Sequence, residues 1–373
     1  MSHRVLTQEG VLSTRSKQSL LVLIIIASIV LALLGAEGAV RLRQKLKYGS
    51  ATTFEEFYAV DRNLGLRVPI ANFSSGRISI NSLGFRGPEI ENPKPPGTVR
   101  VAFLGASTTW CAEVSGNDYV WPHLVTSSLG RTFPSVRFDY INGGVPGYTM
   151  DSLLKIMQHR VAALQPDVIV IYEASNNLSG ELRELAAKRG IIPDAKMKEL
   201  SWPSHHSLLW HLIEKNLRIL AAQRAADNKR GSLEVDPGDL GEGYRHGLTR
   251  LVLAAQQHAK LIALATFSIQ LRREQSPEQQ MHASASAFFY TPFATTRLLT
   301  EGFGRYNQII REVAKETGAL LIEGENEIPG DSVHFADTVH FTDAGSEAMA
   351  HRISGALVSS STLHKILANA AAP

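Results

Sequence analysis

Three hydrophobic patterns succeed one another along the chain. The first is an unbroken apolar run, Leu20 to Ala36, reading LLVLIIIASIVLALLGA without a charge. Extended past Glu37 to Val40, and rising about 1.5 Å per residue as a helix, it just crosses a hydrocarbon core of roughly 30 Å. A helix that is apolar on every face has no side for water, which predicts a membrane span rather than a core helix. Ala36-Glu37-Gly38 offers a small-x-small cleavage site. The apolar run nevertheless exceeds the roughly 7–15 residues of a signal-peptide core, and Arg41 and Arg43 follow at once, so the reading is a retained anchor. Residues 1–45 are thus tail and anchor. Residues 46–98 read as a stalk with short extended pieces such as Arg77–Ile80, closing on the Pro-rich Asn92-Pro93-Lys94-Pro95-Pro96-Gly97.

The second and third patterns alternate from Val99 onward. Short apolar runs suited to buried strands occur at Val99–Leu104, Phe138–Ile141, Val168–Tyr172, Leu261–Phe267 and Leu320–Ile322. Between them, apolar residues recur with helical spacing over Tyr119–Leu129, Met150–Leu164, Ser207–Ala226, Tyr244–His258 and Arg297–Thr317, and a last helix is expected over Thr342–Leu357. Strands alternating with helices predict an α/β fold: three layers, α/β/α, around a five-stranded parallel sheet. The domain spans 99–360, followed by a tail over 361–373. Residues 179–241 are long for one crossover and read as a helical cap insertion.

Composition narrows the function. Of 373 residues, 38 are Lys or Arg and 35 are Asp or Glu. Residues 1–50 hold seven basic and two acidic residues, leaving 31 basic against 33 acidic in the rest. The basic excess belongs to the anchor region and not to the globular body, the reverse of what a phosphate-backbone binder needs, so nucleic acid is not an expected partner. A single cysteine, Cys111, excludes an internal disulfide framework and a Cys-rich zinc site. Three basic residues precede the span and four follow closely, so charge alone does not orient it.

In open α/β sheets functional groups gather outside the carboxyl ends of the strands. After the first strand stands Gly105-Ala106-Ser107-Thr108-Thr109-Trp110. A small residue ahead of the serine permits a sharp turn that exposes its hydroxyl, although serine also serves commonly as an N-cap. No GxGxxG or GxxxxGK[ST] is found here, which removes the nucleotide-binding reading. After the second strand comes Asn142-Gly143-Gly144-Val145-Pro146-Gly147-Tyr148, a loop that can bring backbone N–H groups to an oxyanion or simply turn. After the third strand, Glu173-Ala174-Ser175-Asn176-Asn177 offers an amide donor. Near the C-terminus, Asp337-Thr338-Val339-His340-Phe341-Thr342 can set carboxylate beside imidazole. His334 is the rival base, ranked second. His205 and His206 lack the carboxylates of a metal site and read as surface or cap packing.

These blocks in this order resemble the SGNH hydrolase superfamily, the GDSL esterases and lipases. The matches are Ser107 in FLGASTTW, Gly147 in NGGVPGY, Asn176 in YEASNN, and Asp337 with His340 in DTVHFTDAG, with Trp121-Pro122 also similar to the family pattern. Gly143 and Gly144 are weaker choices for the block-two glycine. The likeness covers Val99 to Leu357 apart from the cap. Two positions depart: Ala106 replaces the acid of Gly-Asp-Ser, and Ala174-Ser175-Asn176-Asn177 replaces Gly-x-Asn-Asp.

The resemblance implies a three-layer, flavodoxin-like sheet and a serine nucleophile, Ser107, with His340 as general base and Asp337 orienting it. It further implies an oxyanion hole from the Ser107 and Gly147 N–H groups and the Asn176 side chain, with no cofactor and no metal. The expected protein is a membrane-tethered serine esterase or O-acyltransferase, acting on acyl esters of cell-surface or exported polysaccharide from the periplasmic or extracytoplasmic side. The alternatives are a lipid or small-ester hydrolase, and a catalytically degenerate domain that binds glycan. Oligomeric state is not legible.

Overall fold

The computed structural model describes residues 14–48, 57–196, 201–227 and 232–370. The chain divides into two compact units, residues 1–51 with 200–214, and residues 52–199 with 215–373.

In the first unit, α1 (Thr14–Tyr48) carries the apolar run, and every residue from Leu20 to Gly35 is exposed. Its stretch Gln18–Leu46 is long and apolar enough to cross a membrane, a test that an N-terminal signal sequence also passes. Residues 201–214 contribute α6 (Trp202–His206) and the start of α7 (Leu208–Asp227).

In the second unit, five strands form one sheet: β1 (Thr98–Gly105), β2 (Arg137–Asn142), β3 (Val168–Tyr172), β4 (Leu261–Ala265) and β5 (Leu320–Ile322). Their spatial order is β2-β1-β3-β4-β5 and all neighbours are parallel, with Phe103 of β1 set between Asn142 and Val170. Every residue of β1, β3 and β4 is buried, as expected for a sheet covered on both faces. The α3 helix (Trp121–Thr132) packs on β2 and on α12 (Asp343–Val358), while α13 (Ser361–Ala370) packs against β1. The other layer holds α4 (Met150–Ile156), α5 (Ser175–Lys188), α8 (Glu242–Gln256) and α11 (Thr296–Thr317). Of these, α11 shows how sequence sets an element. Thr295 caps its N-terminus by accepting from the Leu298 N–H, a buried stripe runs from Leu298 through Phe303 and Ile310 to Ala314, and Gly318 at φ +69° ends it.

This strand order reverses direction between β1 and β3. A parallel sheet leaves a crevice at such a switch point, so the loops after β1, β2 and β3 are set together.

Four boundaries differ from the sequence reading, one of them at the C-terminus, where residues 361–370 of the expected tail form α13 with Leu363, Ile366 and Leu367 buried. Within the expected stalk, residues 49–56 lie outside the described residues. From Phe57 on, the segment is built into the second unit: Phe57, Tyr58, Ile80, Phe85 and Ile90 are buried, and two antiparallel pairs form (Tyr58–Asp61 with Leu66–Pro69, Ser74–Ser75 with Ile78–Ser79). Residues 179–188, expected in the cap, belong to α5, whose Leu178, Leu182 and Ala186 face inward at helical spacing. The helix expected over Met150–Leu164 is α helix only to Ile156, then winds through a π turn, Met157–Val161, and a 3₁₀ turn, Ala162–Leu164. Two short helices, α9 (Pro277–Ala283) and α10 (Ala285–Tyr290), follow β4.

Candidate active site

Ser107 stands at the carboxyl end of β1, on the first residue of the one-turn helix α2 (Ser107–Trp110). Gly105 makes the turn possible: a Cβ there would lie 2.0 Å from Thr109 Oγ1 and 2.5 Å from the Tyr172 carbonyl oxygen. Gly144 permits the next close approach, since its Cβ would lie 2.5 Å from the Trp110 nitrogen. Ala106, Thr108, Thr109 and Trp110 are buried, and Ser107 alone in the turn is partly open. The turn stops at Cys111, at φ 59°. Arg86, fully buried, secures that end: Nη1 donates to the Trp110 and Cys111 carbonyls at 2.7 Å each, and Nε donates to Asn117 Oδ1 at 2.9 Å. A guanidinium at a helix C-terminus satisfies carbonyls that have no partner within the helix.

His340 comes from the loop before α12, whose N-terminus is capped by Thr342 Oγ1 accepting from the Gly345 N–H. Its Nε2 lies 2.7 Å from Ser107 Oγ, and its Nδ1 lies 2.9 and 2.8 Å from the two oxygens of Asp337. Asp337 Oδ1 also accepts the N–H groups of Val339 and His340, both at 3.0 Å, so the carboxylate is fixed by its own loop. Burial opposes the Asp337 charge, but the neighbouring imidazole and these donors outweigh it and hold the carboxyl at about 2. Burial likewise works against a charged His340, yet Asp337 prevails and raises the imidazole above its ordinary value. With Nδ1–H donating to Asp337, Nε2 accepts the Ser107 hydroxyl proton. Such a chain can draw that proton off while stabilising the imidazolium that results.

The other expected groups also converge on this rim. Asn176 opens α5 after β3; its N–H donates to Glu173 Oε1 at 2.7 Å and one Nδ2 hydrogen donates to the Tyr148 carbonyl at 2.8 Å. Asn177 Oδ1 accepts the Met150 N–H at 3.1 Å, so the two asparagines clasp the loop after β2. Within that loop the Gly143 N–H is spent on the Phe103 carbonyl and the Gly144 N–H on Asn142 Oδ1. Gly147, at φ +85° and exposed, has no N–H partner among the described residues, and the same holds for the Ser107 N–H. The unspent donors are therefore those of Ser107, Gly147 and the second Asn176 hydrogen.

A cavity of about 60 Å³ opens beside Ser107 and His340, walled by Asn176, Leu178, Tyr290, Leu299, Phe303 and Val339. Behind it lies a residue that sequence reasoning did not single out. Glu173 is buried directly after β3, and burial pushes its carboxyl up to about 8 despite the Asn176 N–H and nearby His340. The signal was available, since an acid immediately follows an all-apolar strand.

His334, the rival base, is not set apart from His340 by its local sequence. Residues 331–335 read DSVHF and 337–341 read DTVHF, so His334 also has an acid three positions before it. Asp331 Oδ1 lies 2.8 Å from His334 Nδ1 and accepts the Val333 and His334 N–H groups, the same local arrangement as at Asp337. Phe335 and Phe341 pair in an antiparallel bridge. What separates the two dyads is the serine: Ser107 lies against His340. His205 and His206 lie exposed on α6, within the other unit.

A family model described as GDSL-like Lipase/Acylhydrolase family matches residues 103–348. Among solved structures, the chain is similar to an acetyl xylan esterase from Geobacillus stearothermophilus, with TM-score 0.43 and 16% identity, covering 69% of this chain and 94% of that one. It is also similar to an α/β hydrolase from the metagenome of Lake Arreo, Spain, with TM-score 0.41 and 18% identity, at 69% and 94% coverage. No curated protein matches the chain.

Proposed function

The chain belongs to the GDSL-like lipase/acylhydrolase family, and from that premise we propose that it is a serine esterase or O-acyltransferase in which Ser107 attacks a short acyl ester. The observation that carries this reading is the 2.7 Å approach of His340 Nε2 to Ser107 Oγ with Asp337 behind the ring. Ser107 Oγ adds to the acyl carbonyl carbon as its proton passes to His340 Nε2. The carbonyl oxygen becomes an oxyanion, received by the Ser107 and Gly147 N–H groups and the free Asn176 hydrogen. Collapse breaks the ester C–O bond, and the imidazolium returns its proton to the leaving alcohol. Water or a second hydroxyl then gives up its proton to His340 and attacks the acyl-serine; the acyl C–O bond to Ser107 breaks and the imidazolium returns the proton to Ser107 Oγ.

The cavity size supports a small acyl group. About 60 Å³ is enough to seat an acetyl group beside Ser107. A short acyl group whose alcohol half remains outside suits an ester on a large polyhydroxylated acceptor, and α1 would tether such an enzyme to a membrane with its body on the extracytoplasmic side.

The test is turnover of aryl acetate and aryl octanoate by the full chain and by Ser107→Ala. Each buried methylene contributes about 0.8 kcal/mol where a pocket admits it, so a fatty-chain site would show kcat/KM rising with length. Acetate is expected to be the better substrate, and Ser107→Ala is expected to turn over neither. Octanoate favoured over acetate would overturn the short-acyl assignment, and undiminished turnover by Ser107→Ala would overturn the nucleophile.

A further inference from the structure

Glu37 is the first charge after the apolar run, placed where a span of this length would leave the hydrocarbon. A carboxylate at that depth is costly unless its oxygens are satisfied. They are: Glu37 accepts from Ser207 Oγ at 2.8 Å, from the Leu208 and Leu209 N–H groups at 3.1 and 2.9 Å, and from Arg41 Nε at 2.7 Å. The carboxylate of α1 thus caps the N-terminus of α7 and holds the α6–α7 segment beside the end of the apolar run.

What that segment presents outward is apolar and aromatic. Of the four tryptophans, Trp110 and Trp121 are fully buried, whereas Trp202 and Trp210 are 73% and 46% exposed. Trp210 Nε1 donates to Ser201 Oγ at 3.0 Å, and the Trp202 ring stacks on His206 at 4.4 Å between centroids. At the start of α7, Trp210 and Ile213, three positions apart and so on the same side of the helix, are both exposed. A helix start that exposes apolar and aromatic side chains at the end of a span has the composition of an element lying in a membrane–water interface, where indole rings settle at headgroup depth.

We propose that α6 and the start of α7 form a foot on the bilayer surface, with the Trp202 and Trp210 rings seated among lipid headgroups where α1 leaves the hydrocarbon. The occupant of this face is lipid and not a protein because Glu37 ties the start of α7 to the end of α1, whose residues Leu20–Gly35 are exposed all round and need lipid about them. The inference rests on the reading of α1 as a retained span.

The test uses the full chain with vesicles of phosphatidylcholine and of the same lipid brominated near the top of its acyl chains, which quenches nearby indoles. With Trp110 and Trp121 buried in protein, brominated lipid is expected to remove about half of the tryptophan emission. The loss should vanish in a Trp202→Phe, Trp210→Phe double variant, and iodide in the water should quench the wild type poorly. A chain that floats with vesicles yet keeps its full emission in brominated lipid, and is quenched by iodide, overturns the foot while leaving the span intact. A full chain that does not float with vesicles overturns both.

Discussion

Asn176 Nδ2 donates to the Tyr148 carbonyl at 2.8 Å, joining the start of α5 to the loop after β2 and aiming the amide across the rim where Ser107 stands. The bond uses one of two amide hydrogens and fixes the direction of the other. Asn176→Ala is therefore expected to lower kcat by about 10²–10³, equivalent to roughly 2.7–4 kcal/mol, because that donor acts mainly on the developing oxyanion. KM should change little. Steady-state kinetics with a circular-dichroism check of the fold decide it, and an unchanged kcat would remove Asn176 from the oxyanion site.

The His340–Asp337 contact predicts a pH dependence. The folded-state imidazole is raised above its ordinary value, and the general base must be neutral, so kcat/KM should fall as pH drops through that raised value. Asp337→Asn removes the charge that does the raising. The acid limb should then move to lower pH, while kcat falls by about 10⁴ because the tautomer is no longer held. An acid limb unmoved by the substitution would mean that another group controls it.

The duplicated D-x-V-H-F motif supplies an internal control. His334→Ala removes an imidazole with its own aspartate but no serine against it, and kcat/KM should stay within about threefold of wild type. His340→Ala should cost about 10³-fold or more in the same assay. A reversal of the two would transfer the base to His334.

Most of the sheet was legible because its strands are made of residues with one stable place, as in VIVIY of β3 and LIALA of β4, buried throughout. Ser107 and Asn176 could be proposed because each follows a strand, where a parallel sheet collects its loops, and Asp337 with His340 because of their Asp-x-x-His spacing. Other features left weaker traces. The α2 helix is too short to show a period. Residues 57–96 read as a stalk from their short extended pieces and Pro-rich end, yet Arg86 and Asn81 within them are buried and hydrogen-bonded into the fold. In α5, the polar SNNLSGELRELAA carries its buried stripe on only Leu178, Leu182 and Ala186, so the helix reads as polar cap although those three stand at helical spacing. The pairing of Glu37 with Ser207 joins residues 170 positions apart, and no local pattern announces it.

The central claim is that Ser107 is a nucleophile activated by His340, and covalent labelling tests it without choosing a substrate. The full chain, Ser107→Ala and His340→Ala are treated with a fluorophosphonate, and the adduct is located by peptide mass. The account predicts one adduct, on Ser107, formed rapidly in the wild type, absent from Ser107→Ala and slowed about 10³-fold or more in His340→Ala. An adduct on another residue, or equal labelling rates for wild type and His340→Ala, would contradict it.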